Sequence, residues 1–273
     1  MLGFIIPVKP RRYSKNWQLD NLVLERTLRS ICNQDSELFR TIVVYTDKPL
    51  IHYEHENLHY VHFPYEEVTV CRITDWEERK KWYSPVFAER MMDKSRKIIL
   101  GCQMAKSLGC TYLMGVDSDD LVSSKLASFV SSYSQQDLPG WRITKGFVYE
   151  EYASLAVKNK NIWQMNGSTH IIRADLVKIP DFNTNFNLFD YSLFQSHVYT
   201  YQRLIDFEKE KLEEVPFYGV IYLIHNNNYS EVKNIISANS LKLWLKKALF
   251  GKLITKNLRK EFGLYALKGG VET

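Results

Sequence analysis

The stretch "YLMGVDSDDLV", residues 112–122, sets Asp117, Ser118, Asp119 and Asp120 directly behind an apolar run. Two carboxylates one residue apart, Asp117 and Asp119, are hard oxygen ligands suited to a shared magnesium or manganese ion that keeps positions open for water and substrate phosphates. A cation held there would act as an electrostatic clamp on a departing diphosphate. The same residues also suit a plainer role, because aspartate is a favoured N-cap and "DSDD" precedes the helical-looking "LVSSKLASFV". From spacing alone the two roles stand level.

The elements around this run decide where it would lie. "GFIIPV" is a short apolar, β-branched run closed by proline and reads as a buried strand, as do "RTIVVYT", "LHYVHF" and "TYLMGV". Residues 19–34 carry Leu22, Leu24, Leu28, Ile31 and Cys32 close to helical spacing, with Asp20 as the N-cap candidate. A second helix, in "KSRKIILGCQMAKSLG", stops at Gly109. Strand, helix, strand, connection, helix and strand in this order predict an α/β fold with a mostly parallel central sheet flanked by helices. Ligands of such sheets bind beyond the carboxyl ends of the strands, and the acidic run occupies one such end. Further on, "THIIRA" and "FYGVIYLI" predict strands, residues 190–206 a helix, and the segment from Ser240 on another helix.

With 273 residues, 45% of them hydrophobic, the chain can bury one substantial core. The expected organisation is one globular domain over 1–235, with halves at 1–122 and 123–235, and a basic amphipathic helical segment at 236–273. Cys32, Cys71, Cys102 and Cys110 form neither a disulfide framework nor a C-x-x-C pair, which points to a reducing compartment. "MLGFIIPVKP" fits neither a signal peptide nor a spanning helix, so the expected location is the cytoplasm. The net charge of +5 is unevenly spread, with seven basic and no acidic residues between Lys242 and Lys260. Such a helix can lie peripherally on the anionic inner face of a membrane or pack on the domain with its lysines solvated. No nucleic-acid-binding module is recognisable, so nucleic acid is not an expected partner.

Taken together, "FIIPVKP", "LERTLRSICNQ", "TIVVYTD", "TYLMGVDSDD" and "YLIHNNNYS" resemble, in order and rough spacing, the GT-A-fold glycosyltransferases, above all the inverting glycosyltransferase family 2 with its D-x-D-D turn. The resemblance covers roughly residues 2–230. The chain departs from the pattern in its longer, basic "PVKPRRYSKNWQLDN" and in "TDKP", where family members carry D-D-G-S.

The resemblance implies a role for each matching residue. Pro7 and Val8 would line the base pocket, Asp47 would accept a hydrogen bond from the base, and Lys94 would sit near base or phosphate. Asp117 and Ser118 would meet the nucleotide sugar, Asp119 with Asp117 would hold Mn2+ or Mg2+, and His225 would complete the metal site. Asp190 would be the base that takes the acceptor's proton, with Asp181, Glu150 and Glu151 as second-line candidates. "IWQMNGSTHIIR" would line the acceptor pocket through Trp163, Asn166 and Gly167, whereas His170 and His197 read as structural.

The function expected on this reading is metal-dependent transfer of a sugar from a nucleotide donor, a uridine diphosphate sugar first, to a saccharide or lipid-linked acceptor, with inversion, as in polysaccharide biosynthesis. A sugar nucleotidyltransferase and a non-catalytic saccharide-binding or scaffold protein on the same fold are the alternatives.

Overall fold

The computed structural model describes residues 1–81, 83–133, 135–182, 186–187, 191–194, 196–224 and 249–267. Its centre is a sheet whose parallel strands are β1 (Leu2–Pro7), β2 (Phe39–Tyr45), β3 (Leu58–His62) and β4 (Tyr112–Gly115). In register, Leu2 of β1 lies opposite Phe39 of β2 on one side and Tyr112 of β4 on the other. β1, β2 and β4 are mostly apolar because both faces are covered, whereas the edge strand β3 is only partly buried. Phe4 and Ile6 of β1 enter one core, with Leu24, Leu28 and Ile31 of helix α1 (Trp17–Ile31). The intervening Ile5 enters a second core on the opposite face. There it meets Ile98, Ile99 and Cys102 of α3 (Pro85–Ser107), which follows the single turn α2 (Trp76–Arg79).

The N-cap of α1 is Asn16, whose side chain accepts from Leu19 N at 3.0 Å, and not Asp20 as the sequence suggests. Asp20 is instead engaged by Ser14 and by Lys9 Nζ at 2.7 Å, which ties down the basic loop after β1. Helix α3 ends as expected: Gly109, at φ +82°, adopts the left-handed conformation that glycine tolerates best.

Beyond β4 the chain runs through the acidic turn into β5 (Leu121–Val122), which belongs to a second sheet. Helix α4 (Leu126–Ser132) begins only after Lys125, so the acidic turn does not cap it. The strands β6 (Gly140–Arg142), β7 (Gly146–Glu150), β8 (Leu155–Asn159), β9 (His170–Arg173), β10 (Glu213–Glu214), β11 (Val220–Ile224) and β12 (Gly251–Leu253) complete both sheets. The large sheet has the order β10-β6-β9-β4-β1-β2-β3, and the small one β12-β8-β7-β11-β5. The division expected at residue 122 does not divide the large sheet, since β6, β9 and β10 from the second half extend it beside β4.

Two helical expectations are corrected. The helix expected over 190–206 is broken into a 3₁₀ turn (Ser192–Phe194), helix α5 (His197–Arg203) and a π-turn (Leu204–Glu208). The continuous helix expected from Ser240 gives way to β12, paired antiparallel with β8, and helix α6 (Lys256–Phe262). Gly251 is a poor helix residue, and Thr255 starts a new helix by accepting from Leu258 N at 3.2 Å. Leu258, Phe262 and Leu264 bury their side chains against Leu121, Phe147 and Ile221, so the apolar face of α6 closes the domain's own third core. Residues 240–248 of the expected amphipathic segment lie outside the described residues. Among the described residues no helix is long and apolar enough to cross a membrane. The four cysteines are free, and Cys71 is the exposed one.

Candidate functional site

Parallel strands share a direction, so the ends of β1, β2 and β4 bring Val8, Asp47 and Asp117 to one edge of the sheet. Val8 N donates to Val44 O at 2.8 Å and Val116 N to Ile5 O at 2.8 Å, which extends the ladder to that edge. Helix α3 crosses the same edge and delivers two lysines from one face. Buried Lys97 donates from Nζ to Val8 O and to Asp93 Oδ2, both at 2.9 Å. Three residues earlier, Lys94 Nζ forms an ion pair with Asp117 Oδ1.

The acidic turn is fastened on both flanks. Thr27 of α1 donates to Ser118 O at 3.2 Å. On the other side lies the loop before β9, where Asn166 Oδ1 accepts from Ser168 N at 2.6 Å and shapes a tight turn. Ser168 then joins loop to turn: its Oγ accepts from Asp117 N at 2.8 Å and donates to Asp120 Oδ2 at 2.5 Å. Gly167 passes so near Asp117 that a Cβ there would stand 2.7 Å from Oδ2 and 3.4 Å from Lys94 Nζ. Only a residue without a side chain allows that approach.

Charge in the turn is uneven. Burial, then the neighbouring Asp119 and Asp117, push the Asp120 carboxyl well above the usual range, against the pull of Ser168 and Lys94. Burial alone would lower Lys94, but Asp117, Asp120 and Asp119 together raise it, so it stays an ammonium. The carboxyl groups of Asp117, Asp120 and Asp119 thus act together on one lysine. Among the described residues no three His, Cys, Asp or Glu side chains form a complete metal cage. A magnesium-type ion needs only one or two carboxylates when substrate phosphates supply the rest, and Asp117 and Asp119 are the residues that could supply them.

The structure therefore gathers Lys94, Asp117, Ser118, Asp119, Asn166 and Gly167. Asn166 and Gly167, expected to line the acceptor pocket, belong to the loop that packs against the acidic turn. Pro7 and Val8 are buried, Val8 within the core beneath the sheet edge. The Asp47 carboxylate accepts from Arg11 N at 2.8 Å and so holds the loop after β1. The guanidinium of Arg142 lies 5.1 Å from the ring of Trp163 and 4.3 Å from that of Tyr201. Asp190 and His225 lie outside the described residues. Glu151, a second-line base candidate, is held by both guanidinium nitrogens of buried Arg26 at 2.9 and 2.8 Å, which is an architectural role.

Sequence reasoning missed three residues. Ser168 carries no motif, and His170 and His197 read as structural. Both imidazoles line a cavity of about 30 Å³ together with Lys94, Asp117, Gly167 and Thr200. A histidine opening a strand directly after "NGST" was the one legible signal.

No protein family matches the sequence, and no curated protein matches it. Among solved structures the chain is similar to residues 1–349 of S. aureus TarS, at 13% identity over 81% of this chain and 60% of that one, with a TM-score of 0.45. A longer TarS structure is matched at 13% identity over 90% of this chain and 41% of the other, with a TM-score of 0.46. The chain thus spans less than two thirds of either. The 2-C-methyl-D-erythritol 4-phosphate cytidylyltransferase of Francisella tularensis is matched at 14% identity over 84% of this chain and 93% of that one, with a TM-score of 0.37.

Proposed function

We propose that the protein is a GT-A-type glycosyltransferase that moves a sugar from a nucleoside diphosphate donor to a saccharide or lipid-linked acceptor, with inversion. The observation that carries this reading is the Lys94–Asp117 pair, held against Gly167 beside Asp119 at the carboxyl edge of a parallel sheet. Asp117 and Asp119 would hold magnesium or manganese, which when bound supplies Lewis-acid neutralisation of the diphosphate. Lys94 contributes a fixed positive charge to the same leaving group, and Ser168 keeps the turn in shape by fastening Asp117 and Asp120. Pro7, Val8 and Asp47 border the side on which the nucleoside would lie.

In the transfer, the acceptor hydroxyl oxygen forms a bond to the anomeric carbon while the bond from that carbon to the diphosphate oxygen breaks. The hydroxyl proton passes to a base, for which Asp190 is the candidate. In the basic loop after β1, Lys9 is paired with Asp20 and Arg12 with Glu67. A membrane-associated acceptor is supported by exposed Leu249, Phe250 and Leu253 around Lys252.

The test is calorimetric titration of nucleoside diphosphates, with manganese, into wild type and Asp119→Ala. One nucleotide bound by wild type and lost in the variant is the expected result. A folded wild-type protein that binds none of them would overturn the reading.

A further inference from the structure

Histidine nitrogens that are buried without partners are costly, so a pair of them at one cavity calls for a ligand. His170 is 4% exposed, its Nε2 has no hydrogen-bond partner, and neither has the buried Nε2 of His197. Both residues line the cavity below Lys94, Asp117 and Gly167.

The neighbours fix which hydrogen each ring carries. Thr169 Oγ1 donates its one hydrogen to Asn166 O at 3.2 Å and lies 3.2 Å from His170 Nδ1. With that hydrogen on Asn166 O, His170 Nδ1 is the donor of the pair and Nε2 of the neutral ring an acceptor. The Gln164 backbone favours the charged form of His197, and in the Nδ1–H tautomer of the neutral ring the unpartnered Nε2 is an acceptor. Burial keeps both rings neutral at pH 7, His170 being lowered to about 3.

Two bare acceptors require a partner that donates hydrogen bonds. A volume of about 30 Å³ has room for a hydroxyl-sized group. Lys94 and Asp117 stand on the rim, where the proposed function puts the diphosphate, so a group attached to that diphosphate is the one that reaches the cavity.

We propose that the cavity is a hydroxyl-binding subsite, in which His170 Nε2 and His197 Nε2 accept hydrogen bonds from the sugar carried by the nucleotide donor. The subsite rests on the transferase reading and makes these two histidines its donor-sugar selectivity residues. A buried water would satisfy the same two nitrogens, and the experiment separates the two sources.

The full-length protein, with manganese, is titrated with nucleoside diphosphates and with their glucose, galactose, mannose and N-acetylglucosamine esters, as wild type, His170→Phe and His197→Phe. Wild type should bind one nucleotide sugar more tightly than the matching diphosphate. Each variant should lose about 10-fold in affinity for that sugar nucleotide while its affinity for the diphosphate changes less than about twofold. Sugar-nucleotide affinity retained in both variants, or lost equally with that for the diphosphate, overturns the subsite in favour of a water site. No nucleotide binding by folded wild type overturns the transferase reading and the subsite with it. A wild-type measurement covers the case of variants that do not fold. The imidazole ¹⁵N signals of Nε2 should shift with the sugar nucleotide and not with the diphosphate, and an unchanged spectrum overturns the proposal.

Discussion

The Lys94 ammonium, carried on the middle of α3, pairs with the Asp117 carboxylate at the end of β4 and so joins a helix to the turn in which three carboxylates meet. Asp117 is in turn fixed through its own N–H to Ser168, fifty-one residues along the chain. The carboxylate is thus paired and its backbone anchored before any ligand arrives.

Lys94→Met removes the positive charge facing Asp117, Asp119 and Asp120. Affinity for a nucleoside diphosphate should fall about 10-fold or more, and the remaining binding should depend more steeply on manganese, because the cation must then neutralise both the turn and the phosphates. Calorimetry over a manganese series checks this. Unchanged affinity would remove Lys94 from the phosphate site.

Gly167→Ala places a Cβ 2.7 Å from Asp117 Oδ2 and 3.3 Å from its Cγ, so the carboxylate must turn away from Lys94. Nucleotide affinity should drop at least about 10-fold while stability changes by no more than about 1–2 kcal/mol, since the displaced group is partly exposed. Titration beside urea unfolding reads both quantities. Equal losses in binding and folding would mean that the glycine serves the loop and not the site.

His170 gives the protein an acid-side weakness. Burial foremost, with His197 and Arg142 adding, lowers its pKa from 6.5 to about 3. Between these values the unfolded chain binds a proton that the native ring refuses, so stability is lost as pH falls, by up to about 1.4 kcal/mol per pH unit. Urea unfolding between about pH 7.5 and about pH 5 should show this slope in wild type and a shallower one in His170→Phe. Parallel slopes would place the acid sensitivity elsewhere.

Arg26 is fully buried, holds Glu151 with both terminal nitrogens, and donates to Tyr265 O at 3.1 Å. Arg26→Met leaves the partly buried carboxylate of Glu151 unpaired and unlatches the chain after α6, a loss expected to be about 3–5 kcal/mol. Adding Glu151→Gln to Arg26→Met should recover part of it in urea unfolding. If sugar transfer were lost in Glu151→Gln at unchanged stability, the carboxylate would return as a base candidate.

Removing residues 254–273 takes away Leu258, Phe262 and Leu264, which bury their side chains against β5, β7 and β11. Each such side chain is worth about 1.5–3 kcal/mol, so the shortened chain should unfold at markedly lower urea or fail to fold. A truncated protein with wild-type stability would restore the C-terminal segment as a separate appendage.

The order of strands and helices and the acidic turn were legible in the sequence because their signals are local. β1, β2 and β4 are apolar runs of strand length, α1 and α3 repeat their apolar residues at helical spacing, and a cluster of aspartates directly after a buried strand has few places to go. What only the tertiary structure decided depends on β9 lying antiparallel beside β4. That pairing sets Asn166, Gly167 and Ser168 against Asp117 and turns His170 into the cavity wall, and no local pattern relates residues fifty positions apart. Glu151 looks like a free carboxylate until Arg26 reaches it from α1. The tail looks like one amphipathic helix until the edge of β8 offers unpaired backbone groups for β12. Periodicity records which face of an element is buried, whereas the identity of the partner across that face is a property of the whole fold.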